Sequence, residues 1–338
     1  MAELINRVNA YFRKIYGKIN NRNDMERKLF SKGSKLSIRI FRFILLSCMC
    51  FVVLYPIVYM VSISVRDPRD LYDPTIIWVP KHWTLSNFST LLGTLNYFKL
   101  LVNTVIIASI GTVLNVISCS LAGYGFAKFK FKLRNLAFAM VLFTIIIPPQ
   151  NVSIPLYMQY RQFDYFGIGQ FFGLFIGQPL TTNLLNTPFT LYIPAALGMG
   201  IRSGLFIYIF RQFFRGMPKE LEDAAYIDGC GIMKTFVKII LPNAVPAIVS
   251  CVLFSFVWYW NDFFLTSMYF NEPQTLSTAL ATLQDTLRSM GFDFYSNPFI
   301  IVTQMQAACI MTIAPLLIIY IFLQRFFTES IERTGIVG

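Results

Sequence analysis

The chain has 338 residues, of which 55% are hydrophobic, 16% aromatic and only 14% charged. Soluble domains carry about a quarter charged residues, so this composition excludes an ordinary soluble protein and points to a helical protein that crosses a membrane several times. The formal charge of +12 is gathered into a few segments, as the basic flanks of membrane spans require, and this distribution disfavours a nucleic-acid-binding arm.

Residues 1–36 form a basic tail. Ile5, Val8, Phe12 and Tyr16 recur at roughly helical spacing beside Arg13 and Lys14, which fits either a solvated tail or a segment lying on the membrane surface. The first apolar run, about 41–63, begins too deep for a cleaved secretory leader, so it is expected to be a retained span with a kink at Pro56. A polar connection follows over 64–96, and residues 37–97 are taken as the first span with its external connection. The core, 98–327, is expected to hold five more spans, at about 98–126, 136–158, 189–214, 244–269 and 299–327. Pro148, Pro149 and Pro155 interrupt the third of them, as either a packing kink or a hinge and pathway wall. A long apolar, Gly-containing connection occupies 159–189, and 328–338 is a short tail. The predicted fold is all-α: a polytopic bundle of six transmembrane helices.

Basic residues orient the bundle. Ten Lys/Arg precede the first span, four lie between the second and third, and five lie from Arg211 to Lys238. The other connections are sparser in them and carry acids. Basic loops stay in the cytoplasm, which places both termini and the segment 218–242 inside.

That segment, PKELEDAAYIDGCGIMKTFVKIILP, is a long polar run between two apolar regions. Pro218 suits a first helical position, and Glu220, Glu222 and Asp223 suit the positive end of a helix dipole. Leu221, Ala224, Ala225 and Ile227 form a small, mostly apolar face. Gly229 and Gly231 end the helix, and a second helical run over 233–241 meets Pro242. Small residues on an exposed knuckle let a partner surface approach closely.

A second polar feature interrupts the fifth span at Trp258-Tyr259-Trp260-Asn261-Asp262-Phe263. Asn261 and Asp262 lie about twenty residues beyond Leu241, or ~30 Å along a helix. At such depth polar groups face a bundle interior or an aqueous path. Aromatic rings beside them suit the apolar faces of sugars. The same residues also fit an interfacial aromatic belt with a helix-capping Asn-Asp pair.

No phosphate-binding Gly-rich loop with Lys-Ser/Thr, no nucleophile elbow and no His-Glu-x-x-His occurs, so no catalytic residue and no metal site is expected, and the chain is predicted not to be an enzyme. The six cysteines read as packing residues, and His82 is the only histidine.

Asp223-Ala224-Ala225, Gly229, Ile239 and Leu241-Pro242 reproduce the spacing of the cytoplasmic Glu-Ala-Ala loop of ABC-importer membrane subunits, with Asp223 in the usual Glu place. From about residue 80 onward the chain resembles the smaller permease subunit of the carbohydrate-uptake importers, the maltose and multiple-sugar type. The stretches that carry the likeness are Trp83 to Phe88, Asn103-Thr104, Ala122 to Ala127, Ile147 to Gln150, Ile154 to Tyr157, Trp260 to Phe263, and Gln324 to Phe327.

The resemblance implies a type I importer fold in a bacterial inner membrane. It implies a second, different permease subunit, ABC ATPase subunits and an extracytoplasmic solute-binding protein as partners, with a sugar as substrate. No cofactor is expected on this chain; ATP and Mg would be used by the ATPase. The coupling residues implied are Glu220, Glu222, Asp223, Ala224, Ala225, Gly229, Ile239, Leu241 and Pro242, with Glu222 or Glu220 as alternatives to Asp223 for the partner salt bridge. The pathway residues expected are Tyr259, Trp260, Asn261, Asp262, Pro149 and Gln150. The rival readings are an amino-acid or peptide permease, which would share the loop, and an ion-coupled secondary transporter, which would need charges within spans; only Arg202 and Asp262 offer them.

Overall fold

A computed structural model describes residues 37–178, 180–291 and 298–335. The basic tail 1–36 and the last three residues lie outside the described residues. Every regular element in the described part is helical; the extended contacts are two isolated bridges, Arg66 with Trp83 and Phe163 with Thr182.

Helix α1 (Ser37–Ser64) is long and apolar enough to cross a bilayer, and it runs through Pro56 without ending. The described residues up to 61 form one structural unit and those from 62 onward a second.

The second unit opens with a clasp. Arg66 is buried and donates from its guanidinium to the carbonyls of Ile76 and Ile77 at 2.9 and 3.1 Å and to the Ser62 hydroxyl at 2.9 Å. Asp70, in a 3-10 turn at Pro68–Tyr72, accepts from the backbone N–H groups of Lys81 and His82 at 2.8 and 2.7 Å and pairs with His82 Nδ1 at 2.6 Å. Asn87, on α2 (Ser86–Thr94), donates to the carbonyls of Ser64 and Arg66. A buried carboxylate tolerates its site only when its lone pairs are filled. Here burial pushes the Asp70 carboxyl up, but the bonds from His82 and Lys81 outweigh it and hold it below its ordinary value.

A lowered folded-state value means that this carboxylate stabilises the clasp fully above its ordinary value near 3.8 and loses that contribution as the pH falls through the lowered value. One carboxylate oxygen takes both amides and the other takes His82 Nδ1, so Asp70→Asn is expected to lose the His82 bond at about 1–3 kcal/mol. Limited proteolysis should then cut within residues 73–80 faster than in the native chain at pH 7; equal cutting rates would refute the clasp.

Helix α3 (Tyr97–Lys128) is the axis of this unit. It packs chiefly against α8 (Ser203–Gly216), and also against α7 (Phe189–Ala196) and α12 (Val245–Asn261). Small residues make the close approach possible. A Cβ on Gly123 would stand 2.6 Å from Phe210 Cβ and 3.0 Å from the Arg211 backbone nitrogen. In lipid the association of helices rests on such contacts, because the hydrocarbon outside is as apolar as the side chains.

Around α3 the buried side chains fall into separate clusters. One joins Tyr97, Leu100, Tyr160, Leu191, Tyr259, Trp260 and Tyr269. Another joins Tyr124, Phe206, Phe210, Phe214, Phe236, Ile240 and Cys251. A third sets Leu91 against Leu283, Leu287 and Ala307, the last from α16 (Pro298–Gly335).

Of the six expected spans, α1, α3 and residues 299–322 of α16 are unbroken helices long and apolar enough to cross a bilayer. The other three are broken. The third splits into α4 (Arg134–Ile146) and a second arm, Pro149–Arg161, that turns 104° at Pro148-Pro149. Neither proline has an N–H to continue the helix, so the chain reverses course instead of kinking. The expected fourth span is α7 and α8 with an irregular link at 197–202; α8 alone is ~21 Å long, short of a bilayer. The expected fifth span starts after an 80° bend and stops at Asn261, because Asp262 begins a new short helix, α13 (Phe264–Tyr269). The connection 159–189 contains a further helix, α6 (Ile168–Ile176), with Leu174, Phe175 and Ile176 exposed.

Candidate functional site

The loop between α8 and α12 is a helical hairpin. Its first arm is α9 (Glu220–Ile227), capped by Lys219, so Pro218 lies just before the helix and not at its first position. Glu220, Glu222 and Asp223 fill its first turn. Gly229 ends it with φ +77, a left-handed conformation that costs residues with a Cβ about 1–2 kcal/mol. The Gly229 and Cys230 N–H groups cap the helix carbonyls of Tyr226 and Ala225.

The second arm runs Ile232–Asn243 and contains a π-type turn at Phe236–Ile240. Pro242 brings no N–H to this turn, and the Asn243 side chain donates to the Ile239 carbonyl at 2.7 Å. The chain then bends 80° into α12.

The hairpin is seated on the bundle by its second arm. Phe236 meets Tyr124 at 4.8 Å between ring centroids and Phe214 at 6.2 Å, and Ile240 is fully buried beside them. The first arm is held by charge. Lys128, the last residue of α3, lies 3.3 Å from the Glu222 carboxylate, with both side chains 11% exposed; the two are close enough to attract, though not aligned as a hydrogen bond.

This geometry sorts the nine expected coupling residues. Glu222 turns inward to Lys128, and Ala225 is 1% exposed, so the knuckle does not present either of them as the spacing led one to expect. Glu220, Asp223, Ala224 and Gly229 are exposed, as is Pro242. Ile239 and Leu241 are half-buried on the second arm. The sequence reading had Ile227 on an apolar face but not the tip it leads: Ile227 is 86% exposed, with Tyr226, Ile232 and Met233 exposed around it.

The expected pathway residues are not brought together. Trp260 is fully buried and donates its indole N–H to the Thr312 carbonyl at 3.2 Å. Tyr259 is buried, and its hydroxyl accepts from the Ile201 N–H at 3.4 Å. Asp262 is a helix cap: its carboxylate accepts from the Thr266 N–H and hydroxyl at 2.8 and 2.7 Å. These three serve packing and chain direction. Asn261 stays exposed, its amide donating back to the Val257 carbonyl. Pro149 and Gln150 are exposed in the separate turn after α4.

The irregular link at 197–202 is held by side chains from α3 and α12. Asn115 is fully buried; its amide donates to the Ile201 carbonyl at 3.1 Å, and its carbonyl accepts from the Ser203 hydroxyl at 2.6 Å. Ser118 donates to the Ala195 carbonyl at 2.6 Å. Gly200 touches this cluster so closely that a Cβ would stand 2.6 Å from the Tyr259 hydroxyl. Non-helical backbone inside a membrane survives only when its polar groups are satisfied in this way. Polar residues on two apolar helices were the available signal for it in the sequence.

Comparison with known proteins agrees with this architecture. The family described as "Binding-protein-dependent transport system inner membrane component" matches residues 115–333. The chain is 30% identical over 293 residues to the arabinooligosaccharides transport system permease protein AraQ of Halalkalibacterium halodurans, covering 85% of this chain and 92% of that one. It is 28% identical over 259 residues to the alpha-glucoside transport system permease protein AglG of Rhizobium meliloti, covering 77% of this chain and 62% of the relative. Its fold matches a chain of a crystallised bacterial ABC transporter involved in import of the acidic polysaccharide alginate, with a TM-score of 0.68 and 20% identity, covering 87% of this chain and 98% of that one. The family match spans both the seated hairpin and the helices that carry it, and the chain belongs to the family of binding-protein-dependent transport system inner membrane components.

Proposed function

We propose that this chain is one of two different permease subunits of an ATP-driven importer and forms half of a translocation pathway for a carbohydrate, an oligosaccharide in particular. An extracytoplasmic binding protein delivers the sugar, and a separate ABC ATPase, using ATP and Mg, drives the cycle through residues 218–242. The subunit sits in the inner membrane, crosses it six times if α7 and α8 count as one span beside the two bent pairs, and has both termini in the cytoplasm. The arabinooligosaccharide and alpha-glucoside transport of AraQ and AglG supports the sugar class.

The observation that carries the coupling role is the exposed apolar tip of the hairpin, Ile227 with Tyr226, Ile232 and Met233, on a segment whose base is locked to α3 and α8. Such a patch on a rigid stem marks a protein contact. Because the second arm continues into α12, a push on the tip reaches the span that carries Asn261. In this reading Glu222 holds the lever to the bundle, while Glu220 and Asp223 remain free to pair with basic groups on the ATPase.

The test is purification of the tagged chain in mild detergent. The native chain is expected to bring an ATPase subunit with it, and Ile227→Asp to lose that subunit while the second permease stays. If no ATPase accompanies the native chain, the importer reading fails. If Ile227→Asp retains it fully, the tip is not the contact.

A further inference from the structure

Helix α12 has a buried face and an open face. Ala247, Cys251, Ser255 and Tyr259 recur every four residues and are buried in the bundle. Phe254, Val257, Trp258 and Asn261 stand three, four and seven residues along from the first of them, and so share another face. Phe254 and Asn261 are exposed, and Trp258 and Val257 are half-buried. The Trp258 ring is braced by Phe206 at 5.4 Å and is nearly parallel to Phe254 at 6.1 Å.

Arg202 completes this face. It is exposed and has a left-handed φ of +57, at the end of the link that Asn115, Ser118 and Tyr259 hold. Its guanidinium carbon lies 5.8 Å from the centre of the Trp258 ring. No carboxylate lies within ion-pair distance of it among the described residues. The helix below it, α8, places Arg202 ~21 Å from the cytoplasmic end of that helix, well within a hydrocarbon layer of ~30 Å. An unpaired guanidinium at that depth does not face lipid; it faces water or a ligand.

We propose that Arg202, Trp258, Phe254 and Asn261 form a subsite for an anionic sugar ring, of the uronate class, on the pathway side of α12. This rests on the carbohydrate-permease reading and deepens it. Phe254 offers its outer ring face, and Trp258 a ring edge, to the C–H face of a pyranose. Asn261 offers an amide to its hydroxyls. The Arg202 fork matches the two oxygens of a carboxylate, and the cation held on the indole face is already oriented for it. A neutral sugar would leave the guanidinium uncompensated, so the site selects for the anion. The half-burial of Trp258 leaves one ring edge for the ligand, and the remaining wall comes from the second permease.

The test is calorimetric titration of the purified importer, both permeases with their ATPases, using trigalacturonate and trimannuronate against galactotriose and mannotriose. At least one uronate is expected to bind about tenfold tighter than its neutral counterpart, the scale of one charge-assisted contact. Arg202→Gln should erase that preference, bringing the uronate down to the affinity of its neutral counterpart; Arg202→Lys should keep part of it; Trp258→Ala should weaken both classes. The comparison on the native complex needs no variant, so misfolding of a variant does not rescue the idea. Equal binding of acidic and neutral trisaccharides, or a full uronate preference retained in Arg202→Gln, overturns the subsite. Neutral binding that depends on Trp258 without any uronate preference overturns the subsite alone and keeps the carbohydrate reading. Absence of binding by all four sugars, together with absence of uptake of any oligosaccharide, removes both.

Discussion

Gly229→Asp is expected to reduce substrate uptake by at least about thirtyfold while the chain reaches the membrane in its normal amount. The conformation at Gly229 is left-handed, which aspartate adopts more readily than most residues, and no atom lies within 4 Å of the position a Cβ would take. The cost to the fold is therefore at most about 1–2 kcal/mol on a loop already pinned by Phe236 and Ile240. The cost to the partner contact is larger. A carboxylate beside an apolar tip must be desolvated when a partner closes on it, and loss of one interface hot spot is worth about 2 kcal/mol or more, which is the thirtyfold. The measurement is uptake of labelled oligosaccharide in cells, normalised to the membrane content of the chain. Uptake within twofold of native would reject the hairpin as the coupling element.

Ala225→Asp separates coupling from folding. Ala225 is buried, so an added carboxylate there is expected to lower the amount of folded chain as well as uptake. Spacing alone made the two positions equivalent; burial makes them different experiments.

Gly123→Ala should loosen the packing of α3 on α8. The added Cβ would meet Phe210 Cβ at 2.6 Å, the Arg211 nitrogen at 3.0 Å and the Ile207 carbonyl at 3.2 Å. Two of these are backbone atoms, which cannot rotate away, so α3 and α8 must separate. Overpacking of this kind costs about 1–3 kcal/mol, and the loss spreads along the contact of α3 with α8. Gly125→Ala is the control. It lies two residues on, faces open space, and should be neutral or stabilising by up to about 1 kcal/mol, the helix preference for alanine. Thermal unfolding of the purified chain in detergent measures both. Equal melting temperatures for the two variants would contradict the α3–α8 packing.

Some of this molecule was legible in its sequence because the signals are local. Apolar run length needs no partner to be read, so α1, α3 and the apolar part of α16 matched their expected spans closely. The hairpin was legible because a helix start, a left-handed glycine and a proline act through their own backbone. The broken helices were harder to read. Prolines at 148 and 149 announced an interruption, but a kink and a 104° reversal look the same in a composition window. The link at 197–202 reads as part of an apolar run, and it is Asn115, Ser118 and Tyr259, from two other helices, that make its irregular backbone tolerable.

The pathway residues show the division most clearly. The sequence by itself determined that this is a multi-span helical protein, that a polar hairpin lies between two of its apolar segments, and that an aromatic, amide-bearing stretch follows about twenty residues later. Only the tertiary structure decided which of those aromatics are available. Trp258 and Trp260 are two residues apart, about 200° around a helix, so one lies on the open face and the other donates to the Thr312 carbonyl in the core. In the same way it was Lys128, at the end of another helix, that turned Glu222 inward. A residue's type and its place on a helix come from the chain, but the face that is covered is set by what packs against it.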